Sequence, residues 1–285
     1  MSNPAIAGKF AELKRRGEKA YVPYVCCGDP SLEFSRDLVH CLIDSGADLI
    51  ELGIPFSDTL ADGQTIQSAS ERALKNGITV AKSLEFIESL REEGVKVPLL
   101  PMTYYNLVFH HGVDNFCARA SQAGASGLLV PDVPLEESAL LKAACEKNGL
   151  DLIYFIAPTT GPLRMEKILS AASGFVYAVA VTGVTGARES LQEETKTLIK
   201  SVKELSKIPV AVGFGISKPE HARTLVEAGA DAIVEGSQLI KIYSELLGNR
   251  AFFENKKRAL EEIRAHAISM KTALLAGAEN SAGQR

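Results

Sequence analysis

Ile50-Glu51-Leu52-Gly53-Ile54-Pro55-Phe56-Ser57-Asp58-Thr59-Leu60-Ala61-Asp62-Gly63 is the stretch whose reading decides the fold. The segment from Asp48 to Leu52 places apolar residues on either side of one glutamate and reads as a buried strand. A carboxylate there is costly to bury without a partner or a chemical task. Gly53 and Pro55 break the strand, and the following loop carries Asp58 and Asp62. Beyond Gly63, Gln64 to Asn76 reads as a helix. A strand ending in a carboxylate, followed by a loop with more carboxylates, is how a βα-barrel presents acid/base groups at its active face.

Outward from this stretch, apolar strands alternate with amphipathic helices. Pro4 to Arg16 is an amphipathic helix ahead of the first strand, Ala20 to Cys26, and Gly28-Asp29-Pro30 turns into a helix ending near Ser45. After the Asp62 loop, a helix over Val80–Glu93 precedes a third strand, Val97–Met102, and Thr103 to His111 reads as a long loop. Further strands are expected at Leu128–Pro131, Asp151–Ile156, Phe175–Ala180, Pro209–Val212 and Asp231–Val234. The helices between them are Val113–Ala123, Leu135–Asn148, Leu163–Ala172, one ending at Leu205 after a loop from Thr182 to about Gln192, and Pro219–Ala228. Strand–helix alternation argues for a parallel sheet, and apolar rather than alternating strands for a closed one. The expectation is an α/β TIM (βα)8 barrel with an extra N-terminal helix and long active-site loops after strands two and six. Gly46-Ala47-Asp48, Gly124-Ala125-Ser126 and Gly229-Ala230-Asp231 each end a helix and begin a strand, and glycine suits the left-handed residue that closes a helix. Residues 1–276 are expected as one barrel domain, ending in a helix from about Phe252 to Leu275, and 277–285 as a disordered polar tail.

The chain has 285 residues, 46% of them hydrophobic, enough for one large barrel domain. Its net charge of −4, with dispersed lysines and arginines, argues against a nucleic-acid surface or a polybasic membrane anchor. No apolar run approaches the roughly 20 residues of a membrane helix, and Met1 to Arg16 lacks a signal-peptide core. Cys26, Cys27, Cys41, Cys117 and Cys145 lack metal-like spacing and are expected as reduced thiols of a cytoplasmic protein.

Several chemistries can be weighed on the residues alone. Glu51 and Asp62, in one strand–loop unit, are candidate acid/base groups. No predicted strand end carries the lysine of a Schiff-base aldolase. A metal route needs clustered ligands, whereas His40, His221 and His266 fall on helices and are expected at the surface. A phosphate signal comes from the last three βα loops, Gly183-Val184-Thr185-Gly186, Gly213-Phe214-Gly215-Ile216-Ser217 and Glu235-Gly236-Ser237. Barrels often hold phosphate there, on glycine amides and a helix N-terminus. Tyr24, Ile66, Tyr104, Leu129, Tyr177 and Phe214 are candidates to line a ring pocket, and the polar, glycine-bearing loop from Thr182 to Gln192 suits a lid.

The central stretch resembles the signature of the tryptophan synthase alpha subunit family, as do Met102-Thr103-Tyr104-Tyr105-Asn106, Pro131-Asp132-Val133-Pro134 and Gly213-Phe214-Gly215-Ile216. The resemblance implies retro-aldol cleavage of indole-3-glycerol phosphate to indole and D-glyceraldehyde 3-phosphate. It implies Glu51 as the acid/base at indole C3 and the glycerol hydroxyl, and Asp62 as acceptor of the indole N–H. It implies phosphate at Gly186, Gly215, Gly236 and Ser237, favours Tyr104, Tyr177 and Phe214 in the pocket, and implies that Thr185 orients the aspartate on loop closure. No cofactor is expected in this chain. Pyridoxal phosphate (PLP) is expected in a tryptophan synthase beta subunit, the partner in an alpha2beta2 tetramer, with no nucleic acid or membrane involved. Thr59 and Gln64 stand where the family has prolines, so the resemblance implies a more flexible Asp62 loop. Another phosphosugar barrel, such as an isomerase, and a non-catalytic regulatory subunit remain alternatives on the sequence.

Overall fold

Strands that are apolar on both faces must be covered on both, and here the sheet achieves this by closing on itself. The computed structural model describes residues 3–179, 188–213, 215–247 and 252–282. Its strands are β1 (Ala20–Cys26), β2 (Ile50–Gly53), β3 (Leu99–Met102), β4 (Gly127–Leu129), β5 (Asp151–Ile156), β6 (Val176–Val179), β7 (Val210–Gly213) and β8 (Ala232–Glu235). They pair in sequence order into a closed barrel, every pair parallel, with β8 returning to β1. The expected TIM barrel is the observed fold. The helices are α1 (Pro4–Arg16), α2 (Leu32–Asp44), α3 (Gln64–Lys75), α4 (Val80–Glu92), α5 (Tyr105–His111), α6 (Val113–Gln122), α7 (Ala139–Lys147), α8 (Pro162–Ala171), α9 (Arg188–Leu205), α10 (Pro219–Glu227), α11 (Ser237–Leu247) and α12 (Phe252–Ala282).

Local chemistry sets the helix ends. Ser31 and Thr79 accept hydrogen bonds from the Phe34 and Lys82 amides at the starts of α2 and α4. Gly46, Gly124 and Gly229 take φ of +98°, +91° and +114°, the positive region expected of them. The extra helix α1 closes the N-terminal end of the barrel. Its Ile6, Phe10 and Leu13 are buried. The Phe10 ring stacks at 5.8 Å on Phe175, beside the start of β6, and the Asn3 amide donates to Asp151 at the start of β5, 2.9 Å away. The C-terminal ends of the strands are left for the site.

Several expectations need correction. The third βα connection is not a plain loop, because Tyr105 to His111 is helical. Its N-terminal amide on Tyr105 is capped by the Asp132 carboxylate at 2.9 and 3.1 Å, a partner distant in sequence. The helix expected over Leu135–Asn148 is divided at Ser138 into a 3-10 turn, Leu135–Glu137, and α7. The Ser138 hydroxyl is bound there to Leu135 O and to the Tyr154 hydroxyl of β5. Helix α11 was not anticipated. The last helix continues to Ala282, so Gly277 to Ala282, expected as polar tail, is helical. Asp48 lies just before β2, where its carboxylate accepts from the Tyr21 amide and the Lys271 ammonium.

All five cysteines are buried free thiols. Among the described residues, no helix is long and apolar enough to cross a membrane, and no three His, Cys, Asp or Glu side chains cluster to hold a metal.

Candidate active site

Parallel pairing brings Tyr24 of β1 level with Glu51 of β2. Both side chains face a cavity of about 840 Å³ at the C-terminal mouth of the barrel, which Asp62 also lines. Most of the wall is apolar, from Ile66, Met102, Phe155, Val179, Ile216 and Val234. Two glycines make room for its tyrosines. A Cβ on Gly53 would lie 2.0 Å from the Tyr24 hydroxyl, and one on Gly213 would lie 1.8 Å from that of Tyr177, so no side chain fits at either strand end. Tyr177 in turn packs on Phe155 with ring centroids 4.9 Å apart.

The electrostatics of the pair follow from this wall. Glu51 is 5% exposed, and its burial, with the Asp62 charge as second cause, pushes its pKa from 4.5 to about 8. Asp62 is raised from 3.8 to about 6 by burial, against a lowering hydrogen bond from the Tyr104 side chain. At neutral pH the two carboxyls therefore differ: Glu51 holds a proton and Asp62 is mostly ionised.

The Asp62 loop, expected to be loosened by Thr59 and Gln64, carries several tethers. The Ala61 amide donates to the Tyr104 hydroxyl at 3.1 Å. The Gln67 side chain donates to the carbonyls of Thr59 at 3.2 Å and Asp62 at 2.9 Å. Thr59 itself is buried, and Gln64 is the first residue of α3, a position proline also favours.

The phosphate candidates divide. Gly215, Gly236 and Ser237 all line the cavity. Ser237 opens α11, whose first amides have no partner within the helix. Gly186 and the loop residue Thr185 lie outside the described residues, as does Phe214. The lid expected over Thr182–Gln192 falls partly there too, and α9 has already begun at Arg188. Of the ring-pocket candidates, Tyr24, Ile66 and Tyr177 line the cavity. Tyr104 and Leu129 do not. Tyr104 stands behind the Asp62 loop, packed on Phe56 with centroids 5.5 Å apart. Leu129 is buried in β4 opposite Met102, and Pro131, beyond the strand end, reaches the cavity instead.

Two polar clusters escaped the sequence reading. Asp29, in what reads as a simple turn, is fully buried and receives both Nε and Nη2 of Arg72 at 2.7 Å and the Tyr243 hydroxyl at 2.5 Å. Arg72 also donates to Ser244 at 3.1 Å. One carboxylate thus ties α3, which follows the Asp62 loop, to α11, which follows Gly236. Removing Arg72 would leave a buried carboxylate without its charged partner, at a cost below the roughly 3–5 kcal/mol of a fully buried pair because the arginine is itself 36% exposed. His266, expected at the surface, faces inward from α12 and meets the buried Glu235 at 2.6 Å. The other oxygen of Glu235 accepts from Tyr21, also at 2.6 Å.

A closed parallel barrel with two carboxyls and glycine-bearing loops around one apolar cavity is the frame of a (βα)8-barrel enzyme. The sequence model of the family "Tryptophan synthase alpha chain" matches residues 10–274. The tryptophan synthase alpha chain of Methanosarcina acetivorans is 49% identical over 256 residues, covering 90% of this chain and 92% of its own. That of Methanocaldococcus jannaschii is 47% identical over 253 residues, covering 89% of each. The crystal structure of tryptophan synthase subunit alpha from Legionella pneumophila superposes with a TM-score of 0.84 at 36% identity, over 96% of this chain and 98% of that one. A chain of Mycobacterium tuberculosis tryptophan synthase in its aminoacrylate-bound form gives 0.83 at 30% identity, over 96% and 99%. The chain belongs to the tryptophan synthase alpha chain family, and it is a lyase of tryptophan biosynthesis.

Proposed function

We propose that the chain splits indole-3-glycerol phosphate into indole and D-glyceraldehyde 3-phosphate, with Glu51 and Asp62 as its catalytic groups. The observation that carries this reading is that buried Glu51 and half-buried Asp62 share one apolar cavity with Gly215, Gly236 and Ser237, where burial pushes the two carboxyls up to about 8 and about 6 and so favours the acid of one and the carboxylate of the other at neutral pH.

The chemistry needs both states. Indole is a poor carbanion leaving group, so the bond to the glycerol chain breaks only after C3 is protonated. Protonated Glu51 supplies that proton, and the Asp62 carboxylate accepts the ring N–H as positive charge develops there. The Glu51 carboxylate then takes the proton of the adjacent hydroxyl. The carbon–carbon pair returns to the ring, and indole and the aldehyde separate. Proton transfer of this kind contributes about 10²–10⁴-fold, and charge stabilisation in a water-poor site can add a comparable factor. Gly215, Gly236 and Ser237 hold the phosphate, and Tyr24, Ile66 and Tyr177 line the ring site. By family resemblance Gly186 adds to the phosphate site, Phe214 to the ring site, and Thr185 orients the aspartate on loop closure.

The proposed partner is a tryptophan synthase beta subunit that carries PLP and consumes the indole, in an alpha2beta2 assembly in the cytoplasm. The support for contact at the Asp62 loop is that Leu60, an apolar residue of that loop, is 89% exposed. The deciding experiment is steady-state indole release from indole-3-glycerol phosphate, with and without a beta subunit. No indole under either condition would sink the proposal.

A bell-shaped pH dependence of kcat/KM is expected. Activity should fall below about pH 6 as Asp62 gains a proton, and above about pH 8 as Glu51 loses the one it must donate. A profile flat from pH 5 to 9 would contradict these roles. For the phosphate loops, Gly236→Asp should weaken glycerol 3-phosphate binding at least about tenfold by placing like charge at the anion. A side chain there is already tight, since a Cβ would meet that of Tyr24 at 3.2 Å. Unchanged affinity in calorimetry, in a variant with unchanged circular dichroism, moves the phosphate elsewhere.

A further inference from the structure

Among the described residues lining the cavity, the carboxylic acids are Glu51 and Asp62 and the one basic side chain is Lys241. Neither the function just proposed nor the family resemblance uses the cation. Lys241 makes no ion pair among the described residues, whereas Lys203, Lys256 and Lys271 are each bound to carboxylates.

Its placement is constrained. Lys241 follows Ser237 by one turn of α11, so both lie on the face that lines the cavity. Long side chains on a helix lean toward its N-terminus, which here carries the Gly236 and Ser237 amides. The rotation of α11 about its axis is fixed from the other side: Leu239, Ile240 and Tyr243 are buried, Tyr243 is bound to Asp29, and Ser244 to Arg72. The exposed Lys241 side chain therefore lines the same cavity as Gly236 and Ser237, on the face of α11 that opens with their amides.

The cavity also needs such a charge. It discourages negative charge enough to raise both of its carboxyls, and a helix N-terminus offers only about half a positive charge. A phosphate brings between one and two negative charges at neutral pH. We infer that Lys241 is a specificity-determining residue, the counter-charge that makes this cavity prefer a phosphorylated ligand over the same ligand without phosphate. This inference rests on the reading of Gly215, Gly236 and Ser237 as the phosphate site.

The test compares wild type with Lys241→Gln and Lys241→Arg, using glycerol 3-phosphate, inorganic phosphate and indole as separate probes in calorimetry. Lys241→Gln is expected to weaken glycerol 3-phosphate about tenfold, the scale of a charge-assisted contact discounted for exposure. Lys241→Arg should restore most of the loss, and indole affinity should hold. In turnover, the loss should appear in KM rather than in kcat, and raising the salt concentration should narrow the gap between wild type and Lys241→Gln. Equal affinity of wild type and Lys241→Gln for glycerol 3-phosphate overturns the inference while leaving the phosphate site standing. A parallel loss of indole affinity also overturns it, since α11 would then have shifted as a whole. If wild type itself fails to bind glycerol 3-phosphate, the phosphate site falls first and this inference with it.

Discussion

Glu51→Gln should reduce indole release by a factor toward the upper end of the 10²–10⁴ typical of a positioned proton-transfer group. The expectation is large because the residue has two successive tasks, giving a proton to the ring and taking one from the hydroxyl, and an amide performs neither. Glutamine has nearly the same shape, and the wild-type side chain is already neutral at pH 7 by virtue of its raised pKa. The substitution therefore introduces no new charge and no cavity, and the variant should fold and bind glycerol 3-phosphate like wild type. Single-turnover release of indole, measured beside calorimetric binding of glycerol 3-phosphate, separates these quantities. Wild-type turnover in Glu51→Gln would remove the residue from the mechanism. Loss of turnover together with loss of binding would assign it to architecture instead.

Asp62→Asn should cost at least about 10²-fold, because a neutral amide cannot offset positive charge spreading onto the ring nitrogen. A second signature distinguishes this role from simple disruption of the loop. Asp62 is the second cause of the raised Glu51 pKa, so neutralising it should move the basic limb of the pH profile downward from about 8. The acidic limb near pH 6, where Asp62 itself gains a proton, should vanish. Activity near that of wild type places stabilisation of the indole N–H elsewhere. A surviving acidic limb would assign that limb to the substrate phosphate, whose second ionisation also lies near pH 6.

What could be read from the sequence had its cause close by in the chain. Glu51 stands out because one charge in an apolar strand is anomalous within five residues, Asp48 to Leu52. The helix-closing role of Gly46, Gly124 and Gly229 is legible because a positive φ is a local demand. Causes that lie far away in sequence left no trace. The helix α5 depends on the Asp132 carboxylate that caps it, and the division at Ser138 on the Tyr154 hydroxyl. Asp29 reads as an ordinary Gly-Asp-Pro turn until Arg72 and Tyr243 converge on it. His266 has the surroundings of a surface residue in its own helix, and only the packing of α12 onto the barrel beside β1 turns it toward Glu235. Tyr104 illustrates a subtler limit: its position at a strand end was legible, but its orientation toward the Ala61 amide rather than the cavity belongs to tertiary packing.

The N-terminal helix has a bearing on traffic. With Ile6, Phe10 and Leu13 of α1 buried, and Phe10 against Phe175 at the start of β6, one end of the barrel is stoppered, and among the described residues the cavity sits at the other end like the bowl of a flask. The proposed beta subunit would accordingly meet the molecule at that end, beside the loop that carries Asp62 and the exposed Leu60.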